Sequence, residues 1–493
     1  MVFQQPARVL RYYELSRARR FEPHHSPYMS LLTAFQLDTV VASLLDTFVF
    51  VLCTVFLYKH ARLTTAHPGF MYLIFHAMFF SARMYSVMRG SPTLFSNWPG
   101  TLPVSDQEIA HAVLLADAAL ISMTVGLILS SQRDRRNATR SFARGKPNPA
   151  MLSARVVHWV SMVAFPVGVV SLLVNGAVPN VSTTTIDFGI WGTSSWLVIT
   201  QFWPVLVLLA LIYYYGFRPP LVGIMIGFLL LMSIQGYDRF RVILPVIFTL
   251  ITWQTRTGSK WPRKWMIVSL VSLAILTFPM KRIGRMVLRG ETISEIVDIA
   301  KDSISEAMSV TAPDQMFLDM FAATMWLVDE YGHYFYGTTT LSLIYLPIPR
   351  QWWPEKPDLS NYLYETRNPM RPIYWAGMGG NILGEAYANF GSIGVAAVPF
   401  FVGYLLGKVY FAAMRKPYFS VYRFMYVIVA SCLVQVYRDG LNAIVIFHVV
   451  DMMQLVAIAM LSYVSFRNTQ TWSGLRPQMS SGHATGVTQG YLN

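Results

Sequence analysis

Two groups of cations and one arginine beside an aspartate have the residue type and placement to hold an anion. Arg282, Arg285 and Arg289 follow Lys281 at intervals of three and four, which stacks them on one helical face beside an apolar run. Arg239 and Arg241 share the string Gly-Tyr-Asp-Arg-Phe-Arg over 236–241 with Asp238, between two unusually short apolar segments. Arg438 and Asp439 stand between the last two apolar runs, just before Gly440. A guanidinium is a planar fork that pairs with two phosphate oxygens at once, so each group is a candidate phosphate holder. Each also has a structural alternative. The first can snorkel to anionic headgroups, the second can close a turn through an ion pair with Asp238, and the third can be a surface turn capped by glycine. His448 and Asp451, three apart inside the final apolar run, are an ionisable pair of the kind that marks function within a membrane. Their alternative is a structural pairing with Arg83 or another span.

The apolar runs decide where these residues sit. Of 493 residues, 54% are hydrophobic and 13% charged, against about 25% charged in a soluble domain. Eleven runs stand out, at 40–58, 70–87, 109–129, 156–174, 195–215, 221–234, 242–253, 266–280, 393–411, 424–437 and 443–464. A hydrocarbon layer of about 30 Å is crossed by about 20 helical residues. With no water inside it, only helices or a closed barrel satisfy the backbone, and runs this continuous favour helices. The expected fold is all-α, a polytopic transmembrane bundle of eleven or twelve spans. A charge at the bilayer centre costs about 2.5–3.5 kcal/mol on insertion scales, so Arg239 and Arg241 require partners if they lie that deep.

Net charge is +14, yet the basic residues gather in short loops, where they act as topology signals and not as a nucleic-acid surface. The segment 130–155 holds Arg133, Arg135, Arg136, Arg140, Arg144, Lys146 and Arg155; 254–265 holds Arg256, Lys260, Arg263 and Lys264. Both read as cytoplasmic, as does the loop with Arg415 and Lys416, while 175–194 has no basic residue. Parity then makes 281–388 extracytoplasmic. The organisation expected is N-terminal spans over 1–280, this large outer segment, C-terminal spans over 389–466, and a disordered cytoplasmic tail over 467–493. One conflict stands: Arg8, Arg11, Arg17, Arg19 and Arg20 place the N-terminus inside, whereas eleven spans place it outside. A further crossing before residue 130 would remove it. Cys53 and Cys432 both fall inside spans, so neither a disulfide framework nor a metal finger is encoded.

Within the outer segment, Ile293, Ile296, Val297, Ala300 and Ile304 recur at helical spacing among Glu295, Asp298, Lys301, Asp302 and Glu306, the pattern of an amphipathic surface helix. Two strings come after it. The first begins Tyr336-Gly-Thr-Thr-Thr and runs into Pro-Arg-x-x-Trp-Pro-x-Lys-Pro, with Pro349, Arg350, Trp353, Pro354, Lys356 and Pro357. The second is Gly-Glu-x-Tyr-x-Asn-Phe-Gly at 384–391, leading into a span. Over about 60 residues the chain resembles the Wzy-type oligosaccharide repeat-unit polymerases. That resemblance implies a GT-C-like glycosyltransferase of the bacterial inner membrane, working on its periplasmic face without a cofactor. Its implied partners are an undecaprenyl-diphosphate-linked oligosaccharide, membrane lipids and a separate chain-length-regulating co-polymerase. A ligase of the same superfamily or a lipid-linked oligosaccharide transporter remains open.

In such a transfer an acceptor hydroxyl attacks an anomeric carbon and a lipid diphosphate leaves. Arg350, Lys356, Arg239 and Arg241 are the cations expected to take up the leaving charge, with Arg282, Arg285, Arg289 and Arg438 holding substrate beside Asp439. Glu385 is the expected base, with Glu330, His333 and Glu355 nearby, and a structural hydrogen bond is its alternative. Tyr387, Trp352 and Trp353 are expected at the sugar, and Tyr362, Tyr364, Tyr374 and Trp375 offer further flat faces, although aromatics also gather at membrane interfaces. Many GT-C enzymes hold a divalent metal on an early acidic pair. Asp106 and Glu108 have that look, but Ser105-Asp-x-Glu also reads as a helix capping box. No metal is expected if the arginines neutralise the diphosphate. Neither a phosphate loop nor a dinucleotide fingerprint occurs, which fits a donor activated by its own lipid diphosphate.

Overall fold

A computed structural model describes residues 38–92, 104–141, 150–176, 200–234, 239–264, 317–331, 334–345, 381–440 and 452–474, with isolated positions between 266 and 355. The described residues are mostly helical and contain no strand, only a single bridge between Met151 and Ser420. Among the described residues four helices carry a stretch long and apolar enough to cross a membrane: Thr39–His60, Asp106–Asp134, Ala154–Leu173 and Ile382–Met414. Trp203–Tyr215 and Pro219–Met232 are shorter apolar stretches. The chain is thus an all-α membrane protein.

In chain order the helices are α1 (Thr39–His60), α2 (Pro68–His76), α3 (Ala82–Met88), α4 (Asp106–Ser141), α5 (Ala154–Gly176), α6 (Trp203–Tyr215), α7 (Pro219–Ile234), α8 (Arg239–Thr257), α9 (Phe317–Tyr331), α10 (Thr338–Tyr345), α11 (Ile382–Met414), α12 (Val421–Asp439) and α13 (Met453–Gly474). Local chemistry sets several boundaries. Asp38 caps α1 by accepting from the Val40 amide at 3.0 Å, Asn381 caps α11, and Ser420 caps α12. Gly440, at φ +82°, ends α12 in a conformation other residues resist.

The core is the pairing of α4 with α11. A Cβ on Gly126 would meet the Phe400 carbonyl, one on Gly403 the Met123 carbonyl, and one on Gly407 the Ser130 hydroxyl. Small residues of this kind let two backbones touch where apolar lipid offers no competing hydrophobic gain. Large apolar side chains remain uncovered on other faces, among them Leu44, Phe48, Met162 and Leu173. In water such a surface would be a liability; hydrocarbon is its natural solvent.

Helix ends sort into two groups. At one, the Ser131 hydroxyl donates to the His60 carbonyl at 3.2 Å, Arg415 pairs with Asp134, and the Arg256 guanidinium lies 5.8 Å from the Tyr418 ring centre. The basic stretches read as one-sided in the sequence therefore meet. At the other end stand the head of α11, the foot of α12 and the start of α9. Since His60 is at the basic end, Asp38 lies toward the opposite one. Between 39 and 130 the described residues form only α1, the α2–α3 unit and α4, so they hold no extra crossing; residues 1–37 lie outside the described ones.

Several boundaries differ from the expectation. The run at 70–87 is α2 and α3 joined by a π turn, Ala77–Ser81. α4 continues to Ser141, beyond the apolar run, because Gln, Arg and Ala prolong a helix as readily as leucine does. α6 starts at Trp203, after the N-cap Phe202, and α13 runs from Met453 to Gly474. Arg239 and Arg241 belong to the first turn of α8 and not to a linker between short segments.

Candidate functional site at the head of α11

The second family-like string forms the start of α11, and its geometry follows from one residue. Gly391, at φ +63° and ψ −153°, breaks the helix. Carbonyls just before a break lose their helical donors and must find others. They find them in the first string: the Phe335 amide donates to Ala388 O at 2.9 Å and the Tyr336 amide to Asn389 O at 3.1 Å.

Side chains complete the junction. Asn389 accepts from the Gly337 amide at 2.8 Å and donates to the Thr339 hydroxyl at 2.6 Å. That hydroxyl donates to Glu385 Oε1 at 3.2 Å, and Glu385 is 6% exposed. Two residues on from Glu385, the Tyr387 hydroxyl lies 2.8 Å from both oxygens of Asp329 on α9. Burial pushes the Asp329 carboxyl above the ordinary aspartate value, and the Tyr387 hydroxyl pulls it partly back.

Phe317, the first residue of α9, ties in the remaining ends. Its carbonyl accepts from Asn381 Nδ2 at 3.1 Å, and the Arg438 guanidinium lies 5.2 Å from its ring centre. Arg438 is 3.6 Å from Asp439, which also accepts from Gln435. Two residues on from Phe317, Asp319 takes a two-pronged bond from Arg83 of α3, at 2.7 and 2.9 Å, with both side chains fully buried. Glu385, Tyr387, Arg438 and Asp439 thus lie on elements that meet at one end of the bundle. Chemically, the junction offers the buried Glu385 carboxylate, the half-buried Asp439, a phenol and a cation in a setting where proton transfer and anion pairing are both feasible.

Other candidates lie elsewhere or outside the described residues. Glu108 accepts from the Ser105 amide at 2.5 Å while its own amide donates to the Ser105 hydroxyl at 3.3 Å, the capping box that is the alternative to a metal role for Asp106 and Glu108. Trp352 is 80% exposed and Trp353 38%. Arg350, Lys356, Arg282, Arg285, Arg289, His333, His448 and Asp451 lie outside the described residues, as do the side chains of Arg239, Arg241 and Glu330. Of the amphipathic helix only Ser294, Asp298 and Lys301 are described, with Lys301 3.5 Å from Asp298.

Sequence reasoning missed Asp329 and Asp319, and it missed Asp46, His76 and Asp117 inside the bundle. For the last three a signal exists: ionisable residues inside apolar runs are rare enough to be singled out on sight. No family model, curated protein or solved structure matches this chain.

Proposed function

We propose that the chain is a glycosyltransferase that polymerises undecaprenyl-diphosphate-linked oligosaccharide repeat units on the periplasmic face of the bacterial inner membrane. One observation supports this reading beyond the resemblance. The Tyr336-Gly-Thr-Thr-Thr and Gly-Glu-x-Tyr-x-Asn-Phe-Gly strings are hydrogen-bonded to each other at the head of a membrane-length helix, although Gly337 and Asn389 stand 52 positions apart.

In the proposed transfer an acceptor sugar hydroxyl attacks the anomeric carbon of the donor. The new carbon–oxygen bond forms, the bond to the lipid diphosphate breaks, and the diphosphate leaves with the electron pair. Glu385 takes the hydroxyl proton, and Thr339 and Asn389 fix its position. Arg350, Lys356, Arg239 and Arg241 take up the leaving charge, while Arg282, Arg285, Arg289 and Arg438 hold the lipid diphosphate and Trp352, Trp353 and Tyr387 the sugars. Arginine suits the diphosphate because its charge persists at any working pH. Length control belongs to a separate co-polymerase in this reading.

The test is to incubate the purified chain with a lipid-diphosphate-linked repeat unit, without nucleotide, and resolve the products by size. A ladder is expected. Single units left unjoined in the presence of the correct substrate would overturn the polymerase reading.

A transporter of lipid-linked oligosaccharide is the second reading, and the ionisable cluster Asp46, His76 and Asp117 within the bundle is what favours it. Translocation of a labelled lipid-linked unit across liposomes, with no ladder, would select it.

A further inference from the structure

The bundle interior holds a polar cluster that shares no residue with the head of α11 and is independent of the glycosyl-transfer reading. Asp46 of α1, His76 at the end of α2 and Asp117 of α4 each bring a donor atom within 4.8 Å of the others. All three are buried, at 1%, 0% and 3% exposure. His76 Nε2 lies 2.8 Å from Asp46 Oδ1 and 3.4 Å from Asp117 Oδ1. The Ser81 hydroxyl donates to the same Asp46 oxygen at 3.1 Å.

Two facts set this cluster apart from an ordinary buried ion pair. First, neither oxygen of Asp117 has a hydrogen-bond partner among the described residues, nor has His76 Nδ1. His76 Nε2 lies nearer Asp46, so Asp117 keeps only the longer 3.4 Å approach of that nitrogen and brings two acceptor oxygens into the cluster without a hydrogen bond among the described residues. A buried carboxylate short of hydrogen bonds is costly, and in a native interior it calls for an explanation such as a bound ion. Second, His76 opens directly into the π turn Ala77–Ser81. Turns of this type occur mostly as single insertions inside α-helices, frequently at functional sites. Here the turn lets His76 and Ser81, five positions apart, reach one carboxylate.

We propose that Asp46, His76 and Asp117 hold a divalent transition-metal ion of the manganese, iron, cobalt or zinc class. Charge selects the valence: two carboxylates and a dication sum to zero, the condition a site sealed from water requires, whereas a monovalent cation would leave a net negative charge. Donor type selects the class, because an imidazole suits first-row transition ions and is foreign to magnesium and calcium sites built from oxygen. Separations of 2.8 and 3.4 Å are those of donors sharing one ion at about 2.0–2.2 Å. The ligands come from three different helices, so the ion ties α1, α2 and α4 together and stabilises the bundle by binding only its folded form.

The experiment uses the full chain in detergent, stripped of metal by a chelator and dialysed free of it. Titration with Co²⁺ is followed by ligand-field absorption and titration with Zn²⁺ by thermal unfolding. One equivalent per chain, with an upward shift of the melting temperature, is expected. Asp117→Asn and Asp46→Asn, which keep side-chain shape, should each weaken Co²⁺ binding by more than roughly tenfold, the least expected even for a group that only supports a ligand. Glu385→Gln should leave the Co²⁺ spectrum unchanged, and its loss in that variant would overturn the assignment of the ion to this cluster. A folded wild-type chain that binds neither ion, or a Co²⁺ signal that survives in both aspartate variants, would overturn the proposal and leave the cluster to protons alone.

Discussion

The head of α11 and the interior cluster between α1, α2 and α4 are both polar and both buried, yet they are satisfied in opposite ways. At the head of α11, Asn381, Thr339, Asn389, Tyr387 and Glu385 each meet a defined partner, and even the carbonyls freed by the Gly391 break are paired. In the interior cluster, His76 Nε2 stands 3.4 Å from one oxygen of Asp117, and neither oxygen has a hydrogen-bond partner among the described residues. A fully satisfied network fixes geometry, which is what a reacting carboxylate needs from its surroundings. An unsatisfied one draws in a compensating charge. The contrast separates a place where side chains are held from a place where side chains do the holding.

Breaking the contrast starts with the pair that anchors α9 to α3. Asp319→Ala would strand the buried Arg83 guanidinium at a cost of about 3–5 kcal/mol, read as a lower unfolding midpoint of the detergent-solubilised chain. Arg83→Met combined with Asp319→Leu should recover most of that loss, and failure to recover would show that the pair positions α9 by more than charge. Next in size is overpacking of α4 on α11: Gly126→Leu should cost about 1–3 kcal/mol by forcing the backbones apart. Asn389→Ala removes the acceptor for the Gly337 amide and the donor to Thr339, each loss worth about 1–3 kcal/mol at most. Amide hydrogen exchange over 335–339 should accelerate in that variant while exchange within α1 and α4 stays constant. Glu108→Ala should cost only about 0.5–2 kcal/mol, the range for a lost cap, and leave product formation intact.

The smallest effect sharpens the comparison through pH. Burial raises the Asp329 carboxyl above its ordinary value, so the folded chain binds that proton more tightly than the unfolded chain does. Stability from this group is therefore fully present below the ordinary aspartate range and falls as pH rises through the raised value. Asp329→Asn should flatten that slope in a melting-temperature profile against pH.

Much of the bundle is legible in the sequence because hydropathy alone marks a span. The run at 40–58 is α1 within two residues at each end, and 424–437 lies inside α12. Hydropathy is blind where polarity and helicity part company, which is why the last turns of α4, with Gln132, Arg133 and Asp134, read as loop. The two strings of the candidate site are visible as text, but their mutual hydrogen bonds are not, since nothing local encodes a contact between Gly337 and Asn389. The sequence offers Arg83 as a partner for His448 or Asp451, which lie outside the described residues; among the described ones Arg83 pairs with Asp319, 236 positions away, a contact nothing local encodes. Asp46 and Asp117 are equally visible, yet averaging over an apolar run hides the single charge that matters within it.

The most direct test of the central claim, that the head of α11 performs the transfer, compares Glu385→Gln with Asp106→Asn in the lipid-linked repeat-unit assay, at matched abundance and melting temperature. Loss of the product ladder in the first with an undiminished ladder in the second is the expected result. A full ladder from Glu385→Gln would contradict it and move the chemistry away from α11.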